Sequence, residues 1–473
     1  MKIALENLGV IHNSSINIEG ITVITGKNNS GKSTLGKTLY SVVSATENLY
    51  ENATNDLSEF AKSLITKKLR ASELSLLFRR IGFSNTDQNE DNSFSFLKSV
   101  YNNRYPKVNT LDELNDLIDK VIEATTLLDV STIEKIINDN PIARLRFDTS
   151  DQTIDNLKND FINTCKDVTA LVAKYSDFVE YEQEKLIDTL SVEFRDQITP
   201  VKLPDITKAK IEIDKGASQY SMTIDDQNHI FECSGTFPLN EADNVVFIDD
   251  VTVIDAANPE NVFVAESYKS DDFFSYISSK NHNIALLEKI TKKHSFIESI
   301  FQEESFRIIE KKINTIIDDE VIVKDNKYVF SSNGLDLYNL AMGAKIFAIL
   351  KMLLKNGCLN SNTYLILDEP ESHLHPEWQN LFAEIIALLV KEIGLKTVIT
   401  SHSPNFVLAI QTFSQKYGLN DISNYYITQK VDEYRVCYKC VNDNLQLIYA
   451  DFAKYFSEIK SLYNNLIYGE NND

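Results

Sequence analysis

A glycine-rich turn near the N-terminus carries the residue types that bind phosphate. Residues 26–33 read Gly-Lys-Asn-Asn-Ser-Gly-Lys-Ser, and they lie between the apolar run 21–24 and a predicted amphipathic helix. In such a turn, backbone N–H groups and a helix N-terminus surround the β-phosphate of a nucleotide. Lys32 would reach the β- and γ-phosphates, and the Ser33 hydroxyl would hold Mg²⁺. The predicted nucleotide-binding residues of this turn are Gly26, Asn28, Asn29, Ser30, Gly31, Lys32, Ser33 and Thr34.

Two adjacent carboxylates end a second apolar run, far along the chain. Asp368 and Glu369 follow Tyr364–Leu367, and ligand sites of open α/β sheets lie at the C-terminal ends of strands. Asp368 suits a magnesium ligand, whereas Glu369 suits orienting and deprotonating an attacking water. A third strand, Thr397–Thr400, leads to a histidine that could contact the γ-phosphate. The predicted catalytic residues are Glu369 and His402, and the predicted metal ligands are Ser33 and Asp368.

The predicted elements place these motifs in an α/β fold that contains an insert. Residues 1–45 read as strands, the glycine-rich turn and a helix, and residues 46–200 read as a mostly helical lobe. Short strands and helices in residues 201–330 predict a small β-layer that continues the α/β domain, which we call the head. Residues 331–473 alternate helix and strand, as parallel sheets do. We therefore predict a P-loop head assembled from N- and C-terminal segments, with an inserted helical lobe and a small β-layer.

Several of these elements have definite predicted bounds, which follow from apolar periodicity. Residues 1–25 alternate like two strands that lead into the turn. The others are helices at Leu111–Ala124 and Ile154–Lys174, a strand in the apolar run Val245–Ile254, and a hairpin at Val321–Phe330 that turns on Asp325 and Asn326.

The bulk composition excludes several classes of protein. A chain of 473 residues suits two or three lobes, and no apolar run approaches the length of a membrane span. Glu6 and the strand-like alternation around it disfavour a signal peptide, so we expect a cytoplasmic location. Five cysteines give no disulfide framework, in agreement with a reducing compartment. The net charge of −22 argues against a protein that coats nucleic acid with its whole surface.

Two local features leave alternatives open. One is a basic segment from residue 62 to residue 80, which is either a solvated helix face or a contact for nucleic acid or a protein partner. It contains one acidic residue, Glu73, and the basic residues Lys62, Lys67, Lys68, Arg70, Arg79 and Arg80. The other is Cys437 and Cys440, a C-x-x-C in a strand-like run. Positions three apart in a strand point to opposite faces, which disfavours a zinc or redox pair.

Together the motifs resemble the ABC ATPase heads of the SMC, RecF and OLD group, especially the stand-alone ATPase components of bacterial antiphage defence systems. The residues that carry this resemblance are Gly26–Ser33, Asp368–Glu371, Leu374–Pro376 and Thr400–Pro404. The resemblance implies ATP and Mg²⁺ as ligands, with Glu369 as the catalytic base and His402 as the switch histidine. It also implies a head-to-head dimer, or a higher homo-oligomer, in which the signature loop of one subunit completes the ATP site of another.

The signature loop is where the sequence departs from that group. Residues 339–345 read Asn-Leu-Ala-Met-Gly-Ala-Lys and directly precede a predicted helix. Ala341 stands where the group usually has a phosphate-binding serine. The helix N-terminus and the backbone of Gly343 can still face an anion. We therefore expect ATP-driven pairing with slow hydrolysis, and no position is assigned to the group's glutamine loop.

These observations leave three functions open. The favoured one is an ATPase that senses or gates a separate effector, a nuclease of antiphage defence, because the segment after His402 contains no nuclease-like pattern. The second is a RecF-like ATPase that binds DNA through residues 62–80. The third is an ATP-bound scaffold with little turnover, as Ala341 would allow. A transporter ATPase fits least, because a whole lobe is inserted between Ser33 and Asp368. The expected partners are a second copy of the chain and a separately encoded nuclease, with no membrane.

Overall fold

The fold is described from a computed structural model for residues 1–72, 75–78, 92–128, 151–176, 178–257, 280–291, 303–325 and 327–468. The strands are β1 (Lys2–Leu8), β2 (Ile11–Asn17), β3 (Ile21–Thr25), β4 (Lys208–Lys215), β5 (Ser218–Asp225), β6 (Ile230–Gly235), β7 (Asn244–Ile248), β8 (Val321–Lys324), β9 (Lys327–Phe330), β10 (Thr363–Asp368), β11 (Lys396–Ser401), β12 (Ser423–Lys430) and β13 (Val436–Cys440).

The α-helices are α1 (Lys32–Thr46), α2 (Leu49–Ala71), α3 (Ser75–Phe78), α4 (Asn92–Tyr101), α5 (Leu111–Thr126), α6 (Asp151–Lys174), α7 (Val179–Phe194), α8 (His282–Thr291), α9 (Glu303–Ile313), α10 (Met342–Lys355), α11 (Pro376–Leu388), α12 (Pro404–Lys416) and α13 (Gln446–Tyr468). Short 3₁₀ segments lie at Val251–Ala256, Leu337–Asn339 and Asn420–Ile422, and a π-helical turn at Leu389–Ile393 extends α11. None of the helices in these ranges is both long and apolar enough to span a bilayer.

The described residues form two compact units. The first, which we call the head, contains residues 1–47, 186–257 and 280–468. The second, which we call the lobe, consists of the described residues between 48 and 185. Most of the interval predicted as an inserted lobe, residues 46–200, therefore lies in the second unit, while its last fifteen or so residues belong to the head.

One mixed sheet organises the head, and its strand order is β6-β5-β4-β1-β2-β13-β12-β3-β11-β10-β7. The strands from β12 to β7 are mutually parallel, whereas those from β6 to β2 are antiparallel. All five residues of β3 are buried, as expected of a parallel strand with both faces covered. The predicted α/β class is confirmed, and the small β-layer is one end of this sheet because β4 pairs with β1.

Both faces of the sheet are covered by apolar side chains. Tyr364 and Ile366 of β10 belong to one core cluster, and Leu365 and Leu367 belong to the other, because successive strand residues point to opposite faces. The helix α1 lies so close to the sheet that a Cβ at Gly36 would be 3.1 Å from Ile366 and 3.2 Å from Phe247. This close packing fixes where α1 begins, and therefore where the phosphate-binding turn lies.

The lobe has a core of its own, formed by the apolar faces of α2, α4, α5 and α6. The predicted helices at Leu111–Ala124 and Ile154–Lys174 match α5 and α6 within three residues. Within the basic segment, Lys67 and Lys68 are exposed, whereas Arg70 donates from Nε to the carbonyl of Tyr101 at 2.8 Å. Three members of that segment, Glu73, Arg79 and Arg80, lie outside the described residues.

Two of the predicted strand assignments are wrong. Residues 1–25 form three strands, because Gly9, with a positive φ of 56°, turns the chain between β1 and β2. The run Val245–Ile254 is a strand only as far as Ile248. There the Asp250 carboxylate accepts the backbone N–H of Thr252 at 2.8 Å and starts a 3₁₀ turn. The predicted hairpin at Val321–Phe330 is confirmed by the pairing of β8 with β9.

Candidate functional site

The phosphate-binding turn connects β3 to α1 and has the backbone of a compact anion nest. Asn29 and Gly31 have positive φ values of 59° and 74°, and such turns direct consecutive N–H groups toward one point. A Cβ at Gly31 would lie 2.6 Å from the side chain of Val10. Glycine is therefore required at position 31 by its backbone conformation and by the space available.

The turn is braced from outside by β12 and β13. The Thr428 hydroxyl on β12 donates to Ser30 Oγ at 2.9 Å, and Ser30 Oγ donates to the carbonyl of Lys27 at 2.6 Å. The buried Tyr438 hydroxyl on β13 donates to the carbonyl of Gly31, and burial raises the pKa of that phenol. These hydrogen bonds hold the turn in place without using the N–H groups that a phosphate would need.

The first two residues of α1 contact the two carboxylates that end β10. Ser33 Oγ donates to Asp368 Oδ2 at 2.6 Å, and Lys32 Nζ lies 3.2 Å from Glu369 Oε1. Lys32 is buried, and its ammonium also donates to the carbonyls of Gly26 and Lys27 at 3.1 and 2.8 Å. The structure thus brings together the turn and the carboxylate pair, which lie 335 residues apart in the sequence.

The carboxylate pair is held by β11, the neighbouring parallel strand. The Thr400 hydroxyl donates to Asp368 Oδ1 and accepts the backbone N–H of Glu369 at 3.1 Å. Glu369 has a φ of 48°, a left-handed conformation that is costly for a non-glycine residue. The turn after β10 is therefore fixed in a strained conformation that directs the Glu369 side chain toward Lys32.

His402 lies at the end of β11 beside two carboxylates. Its Nδ1 is 3.3 Å from Glu369 Oε2 and 3.9 Å from Glu371 Oε1. Glu371 is buried and accepts the Ser401 hydroxyl at 2.5 Å and the backbone N–H of His402 at 3.2 Å. Burial raises the pKa of the Glu371 carboxyl, despite these two donors. Glu371 therefore links the segment after β10 to the histidine.

The signature-like loop lies at the start of α10. Ala341 is the N-cap residue and provides no side-chain acceptor for the first N–H groups of that helix. A Cβ at Gly343 would lie 2.6 Å from the carbonyl of His373, so the helix start packs tightly against the segment after β10. Gly343 also lines a cavity of about 170 Å³ together with Asp368 and Glu369.

Residues 1–407 match the family model described as AAA ATPase domain. The chain belongs to that family. No curated protein matches this ATPase, so the family assignment depends on the match over residues 1–407.

Solved structures similar to this ATPase include SMC head domains, at low identity. One is the SMC head bound to the C-terminal winged-helix domain of ScpA, with 9% identity, a TM-score of 0.38, and coverage of 94% of this chain and 98% of that chain. The SMC head domain of Thermotoga maritima is 9% identical, with a TM-score of 0.34, and the match covers 93% of this chain and 98% of that chain. The Pyrococcus furiosus SMC head with an extended coiled coil, bound to the C-terminal domain of ScpA, is 9% identical. Its TM-score is 0.23, and the match covers 97% of this chain and 98% of that chain.

A buried ion cluster, which the sequence does not reveal, lies in the head of this ATPase beside the strand next to β10. His282 Nδ1 is 2.7 Å from Glu193 Oε2, and His282 Nε2 is 2.9 Å from Asp249 Oδ2. Burial by itself would lower the pKa of His282, but the two carboxylates outweigh it and raise that pKa to about 9. Lys37 of α1 donates to the carbonyl of Glu193 at 3.0 Å. The cluster thus joins the ends of α7 and β7 and the start of α8 to α1.

Among the described residues, no group of three or more His, Cys, Asp or Glu side chains is arranged so that it could hold a metal ion, and the predicted ligands Ser33 and Asp368 include only one side chain of these types. The Ser33 hydroxyl and the Asp368 carboxylate are oxygen donors 2.6 Å apart. Such a pair fits Mg²⁺, which binds through one or two protein oxygens and completes its shell with water and substrate phosphates. Cys437 and Cys440 lie within β13, where they face opposite sides of the strand.

Proposed function

We propose that this ATPase binds MgATP at the turn 26–33, hydrolyses it slowly, and uses the cycle to gate a separately encoded effector. The observation that carries the first part is the contact of the α1 start with the end of β10, Ser33 with Asp368 and Lys32 with Glu369. These residues provide a cation that can pair with the phosphates, two magnesium ligands and a carboxylate base. These are the groups that phosphoanhydride hydrolysis requires.

The proposed mechanism assigns one task to each side chain. Lys32 leaves its carbonyl acceptors and binds the β- and γ-phosphates. Ser33 and Asp368 would hold Mg²⁺, which would supply neutralisation of phosphate charge when bound. Glu369 accepts a proton from the attacking water. His402 donates to the γ-phosphate and is kept beside it by Glu371. Thr400 keeps the Asp368 carboxylate oriented through its hydroxyl.

Binding and turnover have to be measured separately to test this mechanism. Glu369→Gln should lower the rate of phosphate release at least about 100-fold, because general-base catalysis contributes that much, while ATP affinity measured by calorimetry stays within about threefold. Lys32→Ala should weaken ATP binding about tenfold or more, through the loss of a charge-assisted contact. Equal phosphate release by wild type and Glu369→Gln would leave only the scaffold function.

We also propose that ATP drives self-association of the head. The support is the signature-like loop at the N-terminus of α10, where Ala341 gives no side-chain donor and the helix N-terminus remains to attract an anion. Ala341→Ser should raise turnover several-fold. The molar mass of Glu369→Gln, measured by light scattering, should increase with MgATP and not with MgADP. An unchanged mass in both nucleotides would contradict the dimer.

The effector part of the proposal concerns a nuclease of antiphage defence in the cytoplasm. It is supported by the resemblance of the motifs to defence ATPases, whereas the family match over residues 1–407 supports the ATPase part alone. A tagged chain expressed from its native operon should copurify with a second protein that cuts nucleic acid. Recovery of the ATPase alone, under conditions in which the operon is transcribed and translated, would exclude a stable complex.

DNA binding by the lobe is the second candidate, because Lys67 and Lys68 are exposed on α2. Lys62 is less suited, since its ammonium lies 3.2 Å from the Glu59 carboxylate. Lys67→Glu combined with Lys68→Glu should abolish salt-dependent DNA retention if this function holds. The double variant Lys107→Glu and Lys120→Glu, also in the lobe, is the matched control for net charge.

A further inference from the structure

A second cavity lies beside the phosphate-binding turn, on the opposite side of β3 from the carboxylates. Its volume is about 360 Å³, and its walls include the β1–β2 turn, residues 199–203 and the β12–β13 hairpin. Asn29 of the phosphate-binding turn also lines it. The turn and the cavity share packing, because a Cβ at Gly31 would meet Val10 at 2.6 Å and Val436 at 3.4 Å.

The order of the strands in the sheet indicates which end of a nucleotide would lie in this cavity. β3 leads into the phosphate-binding turn, and β11 and β10, which carry the carboxylates and His402, lie on one side of it. β12, β13 and β2 lie on the other side, and their connections form the cavity. A nucleoside triphosphate has its reacting γ-phosphate at one end and its base at the other. If the γ-phosphate faces Glu369, the nucleoside must extend toward the cavity.

The cavity walls combine an aromatic ring, apolar side chains, cations and the carboxylates of Asp432 and Glu433. Tyr434, Val10 and Val201 are 41%, 37% and 66% exposed, so large apolar groups are left in contact with solvent there. The Lys202 ammonium lies 5.4 Å from the centre of the Tyr434 ring. Small-molecule sites of about 300–1,000 Å³ also combine apolar and aromatic walls with polar groups that fix orientation.

Arg435 is a cation of this cavity that two side chains hold in place. Its Nε donates to Asp432 Oδ2 at 2.7 Å, and its Nη1 is 3.0 Å from His12 Nδ1. The same carboxylate group accepts the backbone N–H groups of Tyr434 and Arg435 at 2.9 and 2.8 Å. Asp432 therefore fixes the tip of the hairpin through backbone contacts that do not depend on the side chain at position 434. Tyr434 and Arg435 are both held in a defined geometry as a result.

We propose that this cavity is the nucleoside subsite of the ATPase, in which Tyr434 stacks on the base, and Lys202 and Arg435 donate to base nitrogens or to ribose oxygens. The inference depends on the proposed binding of the phosphates at residues 26–33. Guanidinium and ammonium groups are donors only, which matches the acceptor-rich edge of a purine ring. Aromatic stacking and cation contacts would add affinity for the nucleoside and none for its phosphates.

Calorimetric titration of the full chain with MgATP and, separately, with magnesium tripolyphosphate tests the subsite. Tyr434→Ala should raise the Kd for ATP about tenfold, the usual loss when a base loses an aromatic partner, and should leave the Kd for tripolyphosphate within twofold. Lys202→Ala should show the same pattern with a smaller change. The matched control is Phe231→Ala, which removes another exposed ring under a lysine, since Lys208 Nζ lies 3.1 Å from its centre.

The outcomes separate this inference from the function on which it depends. Equal ATP affinity in wild type, Tyr434→Ala and Lys202→Ala, with Lys32→Ala defective, would overturn the subsite and leave the phosphate site intact. Equal losses for ATP and tripolyphosphate in Tyr434→Ala would also overturn it, because the ring would then act on the turn rather than on the base. Failure of the wild type to bind either compound would remove the phosphate site and the subsite together.

Discussion

Replacement of His282 should remove a pH-dependent part of the stability of the head. The histidine is buried between Glu193 and Asp249, with Lys37 and the Tyr40 ring as its other polar neighbours. Its pKa rises from the ordinary 6.5 to about 9 in the folded chain. Each pKa unit corresponds to about 1.4 kcal/mol, so the protonated histidine stabilises the folded head by about 3 kcal/mol.

The sign follows from proton linkage. The folded state holds the proton more tightly than the unfolded state, so the stabilisation is complete below pH 6.5 and is lost as the pH rises through 9. His282→Gln should therefore be about 3 kcal/mol less stable than wild type at pH 6. That difference should shrink to under about 1 kcal/mol at pH 10, because the wild type then has a neutral imidazole between the carboxylates.

Urea unfolding followed by the fluorescence of Trp378 measures this effect in the head alone. Trp378 is the one tryptophan of the chain and packs against the larger core of the head. His229→Gln is the control, since His229 is 71% exposed in the turn between β5 and β6. A stability difference between wild type and His282→Gln that stays constant from pH 6 to pH 10 would refute the ion cluster.

Three further predictions concern the nucleotide site. Gly31→Ala, which places a Cβ 2.6 Å from Val10 at a φ of 74°, should lower the free energy of unfolding by about 1–3 kcal/mol and weaken ATP binding in calorimetry. Thr400→Val, which removes the donor to Asp368, should keep ATP affinity but lower phosphate release about tenfold, whereas Thr412→Val on the outer face of α12 should change neither. Glu371→Ala, which leaves the Ser401 hydroxyl without its acceptor, should cost about 1–3 kcal/mol in urea unfolding, while Glu371→Gln, which keeps an acceptor, should cost less than half of that.

The position of the turn 26–33 between a strand and a helix could be predicted because local chemistry defines it. The spacing of Gly26, Gly31 and Lys32 between a strand and a helix is a local pattern, as is an apolar strand that ends in two carboxylates. The α/β class followed from the alternation of apolar periods. Strand bounds failed at Ile248 because a side-chain cap, from Asp250, ended an apolar run that periodicity alone would continue.

The supporting residues could not be predicted, because their partners are remote in the sequence. Thr428 and Tyr438 form hydrogen bonds with the turn from positions about 400 residues away in the sequence. No local sequence periodicity indicates such contacts. His282 and Glu193 are 89 residues apart and lie in segments that read as ordinary helices. Glu371 had a signal, since it belongs to the Asp-Glu-Pro-Glu run, but burial is what separates it from Glu369.

The contacts of Lys32 and Glu369 also imply an order of events in the proposed cycle. The ammonium of Lys32 is paired with the Glu369 carboxylate at 3.2 Å and with two carbonyls of the turn. A carboxylate oxygen that already contacts an ammonium is not free to accept a proton from water. In the proposed cycle, phosphate oxygens would replace these partners of Lys32, and Glu369 would be released beside the attacking water. The base therefore becomes effective only after the substrate that it acts on is in place, which suits a cycle whose purpose is to report nucleotide occupancy.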